Sequence, residues 1–236
     1  MTYSFLILFA FALFLILWRI NTRKFLSSGT VASAYDSWTQ DKLLERLWGE
    51  HIHLGFYPLH KNIDFREAKI KFVHELVSWS GLDRLPKGSR ILDVGCGIGG
   101  SSRILAKYYG FNVTGITISP AQVKRAIELT PNELNCNFKV MDALDLKFED
   151  GSFDGIWSVE AGAHMNDKSK FADEMLRTLR PGGYLALADW NSRDLKSKPP
   201  SIIENIILNQ LLEQWVHPNF ISIKDFREII YNNKKK

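Results

Sequence analysis

The run Arg90-Ile91-Leu92-Asp93-Val94-Gly95-Cys96-Gly97-Ile98-Gly99-Gly100 holds the residue types best suited to grip a ligand. Its first half reads as a buried strand and its second as a glycine turn, and Ser101–Tyr109 continues with helical spacing. Glycines let the main chain turn tightly and approach a ligand where any Cβ would collide. The helix that follows aims its amides and the positive end of its dipole at the same place. Gly95-x-Gly97-x-x-Gly100 also satisfies the dinucleotide pattern, which alone is a weak signal. Asp93 separates the readings. A carboxylate two residues before the first glycine is of no use to a pyrophosphate, but it attracts an ammonium or sulfonium in a partly dry cleft. A nicotinamide site also wants Asp or Glu at the end of the second strand, and Asn112–Ser119 offers Thr117 there. S-adenosylmethionine (SAM) therefore fits better than NAD, with a ligand-free glycine turn as the plain alternative.

The elements that must position this turn follow from the pattern around it. Strands are expected at Arg90–Val94, Asn112–Ile118, Asn137–Met141, Phe153–Val159 and Gly183–Asp189. Helices alternate with them near Ser101–Tyr109, Ala121–Thr130 and Ser169–Leu179, which implies a doubly wound parallel sheet with right-handed crossovers. Ligands of such sheets sit beyond the carboxyl ends of the strands. That rule gathers Asp93, Thr117, Asp142, Ser158, Glu160 and Asp189 along one edge. Upstream, Ser27-Ser28-Gly29-Thr30 reads as a polar joint, followed by a helix through Leu47. Trp48–Pro58 is dense in aromatics, glycines and histidines without period, as a lid or substrate wall would be. His51 and His53 lack an evident third partner, so no metal site is expected. Asp64–Ser80 reads as an amphipathic helix burying Phe65, Ala68, Ile70, Phe72, Val73, Leu76, Val77 and Trp79. Two further helices are expected at Ser201–Trp215, against the site, and at Ile223–Tyr231.

Composition bounds the classes. The chain has 236 residues and a net charge of +4, with its only basic cluster at Lys234-Lys235-Lys236, which leaves no nucleic-acid footprint. Two cysteines, Cys96 and Cys136, lie far apart and suit a reducing compartment. Phe5–Trp18 is fourteen uninterrupted apolar residues. As a helix that is about 21 Å, short of the roughly 30 Å hydrocarbon layer, although Tyr3 and Ile20 can extend it if Arg19 snorkels. A cleaved signal peptide fits less well, since no basic region precedes the run. Arg19, Arg23 and Lys24 follow it, so the reading is a membrane anchor with the rest of the chain on the cytoplasmic side. A core helix of the domain is the plainer alternative. The expected organisation is a hydrophobic anchor at 1–24, a helical lid and substrate segment at 25–85, and a SAM-binding domain at 86–236.

Ile91–Gly100, Ser152–Glu160 and Leu179–Ala188 resemble the three SAM motifs of the class I methyltransferases. Trp48–Gly55, Thr114–Pro120, Trp157–Met165 and Ala188–Asn191 resemble, more narrowly, the tocopherol and plastoquinone branch of that family, over about Ala32 to Phe226. The resemblance implies a mostly parallel, Rossmann-like α/β methyltransferase sheet and SAM as cofactor. It implies C-methylation of a prenylated hydroquinone, a lipid drawn from a cyanobacterial-type plasma or thylakoid membrane. By resemblance, Asp93, Gly95, Cys96 and Gly97 hold the methionine part and Tyr35 closes over its carboxylate. Thr117 and Gln122 with Ser119 take the ribose side, Asp142 and Ala143 meet the adenine, and Ser158 lines the cofactor. His164, favoured over Glu160, would accept or orient the quinol proton, with His51 and His53 as the other candidates. Trp48 and Trp190 would wall the flat ring, and His51 and His53 would also face the substrate. A structural, hydrogen-bonded His164 is equally compatible.

The family normally continues into two more strands, so a shortened sheet is expected here. That leaves a second class open beside the enzyme, a non-catalytic membrane-tethered SAM-binding protein. Sterol, γ-tocopherol and phospho-base methyltransferases share the glycine loop, but Trp48-Gly49-Glu50-His51-Ile52-His53 favours quinols. The residues leave the oligomeric state open.

Overall fold

The computed structural model describes residues 6–13, 24–59 and 62–233. Five strands form one sheet: β1 (Arg90–Val94), β2 (Asn112–Thr117), β3 (Cys136–Val140), β4 (Phe153–Val159) and β5 (Leu179–Ala188), in the order β3-β2-β1-β4-β5. Every pairing is parallel, with Arg90 opposite Asn112 and Leu92 opposite Ile156. Among the described residues no strand follows β5, so β5 is one edge of the sheet. β5 begins four residues before the expected Gly183, and its register with β4 shifts between Phe153 and Gly155.

Eight helices are labelled here: α1 (Ser28–Gln40), α2 (Leu43–Trp48), α3 (Phe65–Ser80), α4 (Gly100–Tyr109), α5 (Pro120–Leu129), α6 (Lys168–Thr178), α7 (Ile202–Trp215) and α8 (Ile223–Asn233). Because side chains alternate across a strand, β1 feeds two cores. Ile91 joins Val73, Val77, Leu105 and Phe111 on the α3–α4 side. Leu92 and Val94 join Ile156, Phe171 and Met175 on the α6 side. Asp93 falls between them at the strand end, on the α4 side.

Local chemistry sets the helix ends. Asp64 accepts from the Arg66 amide to start α3, and Pro120 opens α5 at a position where its missing N–H is harmless. Four expectations need correcting. The polar joint at residues 27–30 is the start of α1, where the Thr30 hydroxyl accepts from the Ser27 amide. The single helix through Leu47 is two, broken at Lys42, whose φ is +52°. On α3, Ile70 and Trp79 face solvent, Trp79 at 79% exposure, while Lys69 is buried in their stead. Only the C-terminal end of α7 is packed against the domain, for Leu212 is buried whereas Ile202 is 80% exposed, and no residue of α7 lines the cleft.

Residues 6–13 are helical, with Leu6, Ile7, Leu8, Phe9 and Phe11 exposed. The anchor expected at 1–24 falls largely on residues 1–5 and 14–23, outside the described residues. Among the described residues no helix is long and apolar enough to cross a membrane.

Candidate active site

Beyond the carboxyl ends of β1, β2 and β4 lies an open cleft. Its floor is the glycine turn. Gly95 has φ +80°, and a Cβ on it would lie 2.2 Å from the Ala161 Cβ, so only glycine lets β1 and β4 end side by side there. The amides of Gly95 and Cys96 both donate to Ile116 O, which locks the turn to β2. Gly97 (φ +54°) has open space where its Cβ would stand, with Gln122 Nε2 4.0 Å away. The Cys96 thiol is buried, and burial raises its pKa, so it stays an unreactive loop residue.

Asp93 sits at the back of this floor, 2% exposed. Its Oδ2 accepts from Ser102 Oγ at 2.5 Å. Burial pushes its pKa up to about 7, against the lowering effect of that hydrogen bond. A half-ionised carboxyl lining a cleft, with no cation against it among the described residues, matches an ammonium-bearing ligand. The residues present therefore fit SAM. Asp142 and Ala143 line the cleft after β3, and Thr117 and Gln122 line it after β2, joined by a 2.6 Å bond from Thr117 Oγ1 to Gln122 Oε1.

Two residues expected on the cofactor lie outside the cleft lining. Ser119 is fully buried, accepting from Gln122 N and donating to Asp36 Oδ1. Ser158 is also buried, and its hydroxyl donates to Val94 O at 3.0 Å. Both hydroxyls are engaged within the fold instead. Asp36 was not legible in the sequence as part of the site. It accepts from Ser119 Oγ and from the Ala121 amide, so a carboxylate of α1 caps α5 and docks α1 over the cleft.

The roof comes from α1 and the Trp48–Leu54 segment. The Tyr35 hydroxyl hydrogen-bonds His164 Nε2 at 2.9 Å, and burial raises its pKa above the usual phenol value, so the phenol keeps its proton. His51 and His53 both line the cleft and contact each other, Nδ1 to Nε2, at 3.2 Å. Burial lowers their pKa values to about 3 and 4, which keeps them neutral. His51 and Glu50 O press on the glycine turn so closely that a Cβ on Gly100 would meet Glu50 O at 2.4 Å. Lys69, buried on α3, donates to Trp48 O (2.9 Å) and His51 O (2.8 Å), and Arg103 on α4 binds Glu50 at 2.6 Å. Sequence reasoning missed both pins. A buried lysine inside an amphipathic pattern was the one available signal.

Trp48 and Trp190 lie outside the cleft lining. Trp48 stands edge-on to Trp215 at 6.3 Å, and Trp190 stacks on Phe220 at 6.5 Å. Glu160 lines the cleft with φ +53°, a left-handed conformation a non-glycine residue holds only when its surroundings impose it. Its Oε1 accepts from the Leu54 amide at 2.9 Å, and burial raises its pKa. His164 ends a short 3₁₀ turn, Gly162–His164, whose carbonyls at 162 and 163 accept from Lys168 Nζ at 2.6 and 3.1 Å. Burial lowers the His164 pKa to about 4. Among the described residues no group of three or more His, Cys, Asp or Glu side chains gathers as a metal site would.

A parallel sheet in this order, a glycine turn and a buried acid at the end of β1 define a SAM-binding, Rossmann-like domain. Residues 92–187 match the family model described as a methyltransferase domain, and the chain belongs to the SAM-dependent methyltransferases. It is 58% identical over 215 residues to the 2-methyl-6-phytyl-1,4-hydroquinone methyltransferase of Synechocystis sp., covering 90% of this chain and 67% of that protein. It is 37% identical over 204 residues to a chloroplastic tocopherol O-methyltransferase of Arabidopsis thaliana, covering 81% of this chain and 59% of that one. Among solved structures, a geranyl diphosphate methyltransferase complexed with GPP and sinefungin superposes with a TM-score of 0.70, at 21% identity over 87% of this chain and 80% of that one. That last likeness is one of fold.

Proposed function

We propose that this chain is a membrane-associated, SAM-dependent C-methyltransferase acting on the ring of a prenylated hydroquinone, of the 2-methyl-6-phytyl or solanesyl kind. The observation that carries this reading is the 58% identity to the Synechocystis enzyme, against 37% to the tocopherol O-methyltransferase. The apolar run at Phe5–Trp18 supports an anchor at 1–24, with residues 25–85 as lid and 86–236 as the catalytic domain on the cytoplasmic side. Lys24 pairs with Glu213 at 3.6 Å, so the anchor would leave the domain beside α7, near the roof of the cleft.

SAM, when bound, supplies a methyl group already activated on a sulfonium. The chain's task is then alignment, exclusion of water and handling of one proton. Asp93 would hold the ammonium end, with Thr117 and Gln122 facing the ribose and Asp142 and Ala143 the adenine. The quinol ring carbon becomes a strong nucleophile when the neighbouring hydroxyl gives up its proton. Glu160 suits that transfer, because burial raises its carboxyl above the usual carboxylate range, whereas burial lowers the His164 imidazole below its ordinary value. His164, fixed by Tyr35 and by the turn that Lys168 ties, is the orienting hydrogen-bond group. Charge is neutralised as the methyl moves, which a dry cleft favours over water.

Membranes bearing the chain, incubated with methyl-labelled SAM and 2-methyl-6-phytyl-1,4-hydroquinone, should yield labelled dimethyl quinol. SAM binding without any labelled product would move the reading to the tethered, non-catalytic class.

A further inference from the structure

One buried group close to the cleft has no part in the mechanism above. His217 follows α7 and is 8% exposed, and its ring stacks on His164 with centroids 4.1 Å apart and planes 30° off parallel. The Nδ1 atoms of both rings are buried without a hydrogen bond of good geometry among the described residues, the backbone of Val216 approaching His164 and that of Ala163 approaching His217. Val216, immediately before, is fully buried and holds φ +57°, ψ +42°. A β-branched residue in the left-handed region is a rare conformation that its surroundings must impose. The end of α7 is therefore bent against its preference, and the bend sets His217 on His164. Phe220 braces the far side of His217 at 5.1 Å, and Tyr35 meets His164 edge-on at 5.3 Å.

We propose that His217 is a positioning residue of the active site, whose ring is the wall that keeps His164 dry, in place and hydrogen-bonded to Tyr35. The stack adds area that water would otherwise wet, and two imidazoles this close resist carrying two charges. Lys168, from α6, reinforces this by disfavouring a charge on either ring. Glu160 and Asp189, at the ends of β4 and β5, face Tyr35 electrostatically. Lys24 and Glu213 share a cleft with His217 on its outer side. Burial lowers the pKa of His217 to about 3, so the pair stays neutral across the physiological range. The functional meaning rests on the orienting role of His164 proposed above. The stacking role is measurable without turnover.

The test compares His217→Ala with His217→Phe in the full chain, reading the His164 ring resonances by NMR from pH 4 to 8. Retained SAM affinity within about twofold serves as the folding check. With Ala, water reaches His164 and its titration midpoint should rise by one to two pH units toward the ordinary 6.5. With Phe the wall is restored and the midpoint should stay where it is in the parent chain. On the quinol, the Ala variant should then lose kcat/KM about tenfold between pH 8 and pH 5.5 through a new acid limb, which Phe abolishes. An unmoved His164 midpoint in the Ala variant overturns the proposal. So does a Phe variant whose midpoint moves as far as that of Ala. If neither variant nor parent turns over the quinol, the proposed reaction fails while the NMR comparison still decides the role of His217.

Discussion

Asp93 is a buried acid held by one hydroxyl at the floor of the cleft. Its native pKa of about 7 lies above the unfolded value near 3.8, so ionising it opposes folding. That penalty is absent below about pH 4, grows between 4 and 7, and is complete above 7. The ligand-free chain should therefore lose stability through that window, and Asp93→Asn should remove this part of the slope in thermal melts. SAM affinity should run the other way. Below pH 7 the carboxyl must shed a proton before it can meet an ammonium, so the Kd should rise by up to tenfold per pH unit, as calorimetry can follow. In Asp93→Asn the affinity should be weaker by about 10- to 100-fold, the worth of one charge-assisted hydrogen bond, and flat with pH. At Glu160 the prediction concerns rate. Glu160→Gln keeps the shape but cannot take a proton, so kcat should fall by about 10²- to 10⁴-fold with SAM affinity little changed. A quinol activity whose acid limb survives in that variant would assign the proton to another group.

At the scale of elements, the roof is held by a few polar pins rather than by a thick core. α1 buries only Val31 and Ala34, and its docking depends on Asp36 reaching the start of α5. Asp36→Ala should remove about 1 kcal/mol as a lost cap and, with α1 loosened, speed amide exchange in Ser28–Gln40 without affecting β1. The 48–53 segment hangs on Lys69, which meets two carbonyls and, among the described residues, no carboxylate within salt-bridge distance. Lys69→Met keeps the stem's packing but leaves Trp48 O and His51 O unpaired, a loss of about 1–3 kcal/mol in chemical denaturation. Because this segment presses on Gly100, the same change should weaken SAM binding more than it weakens the fold.

At the scale of the whole molecule, the described chain enters the domain at Lys24 and Phe25, beside the end of α7. Lys24 binds Glu213, and Phe25 packs with Val31, Ala34 and Val216, which also carries His217 into place. A chain lacking residues 1–23 should keep its SAM affinity and yet move from the membrane pellet to the supernatant on sedimentation. If the shortened chain still pellets with vesicles, the membrane contact lies elsewhere.

How much of this could be read from the residues alone depends on the range over which each feature is determined. The glycine turn, the acid before it and the five strands were legible because each is set within about ten residues, by alternation, turn chemistry and caps. The strand ends moved by a residue or so, except β5, whose bulge depends on its partner. The partners of Ser119, Ser158, His164 and His217 are set only by folding. A buried hydroxyl or imidazole bonds to whatever the fold brings near it, and here the partners lie tens of residues away: Asp36 is 83 residues from Ser119, and Tyr35 is 129 from His164. Sequence by itself determined where a cationic ligand would be held. Tertiary packing decided which polar groups remain free to face it, because most buried donors and acceptors take partners within the fold.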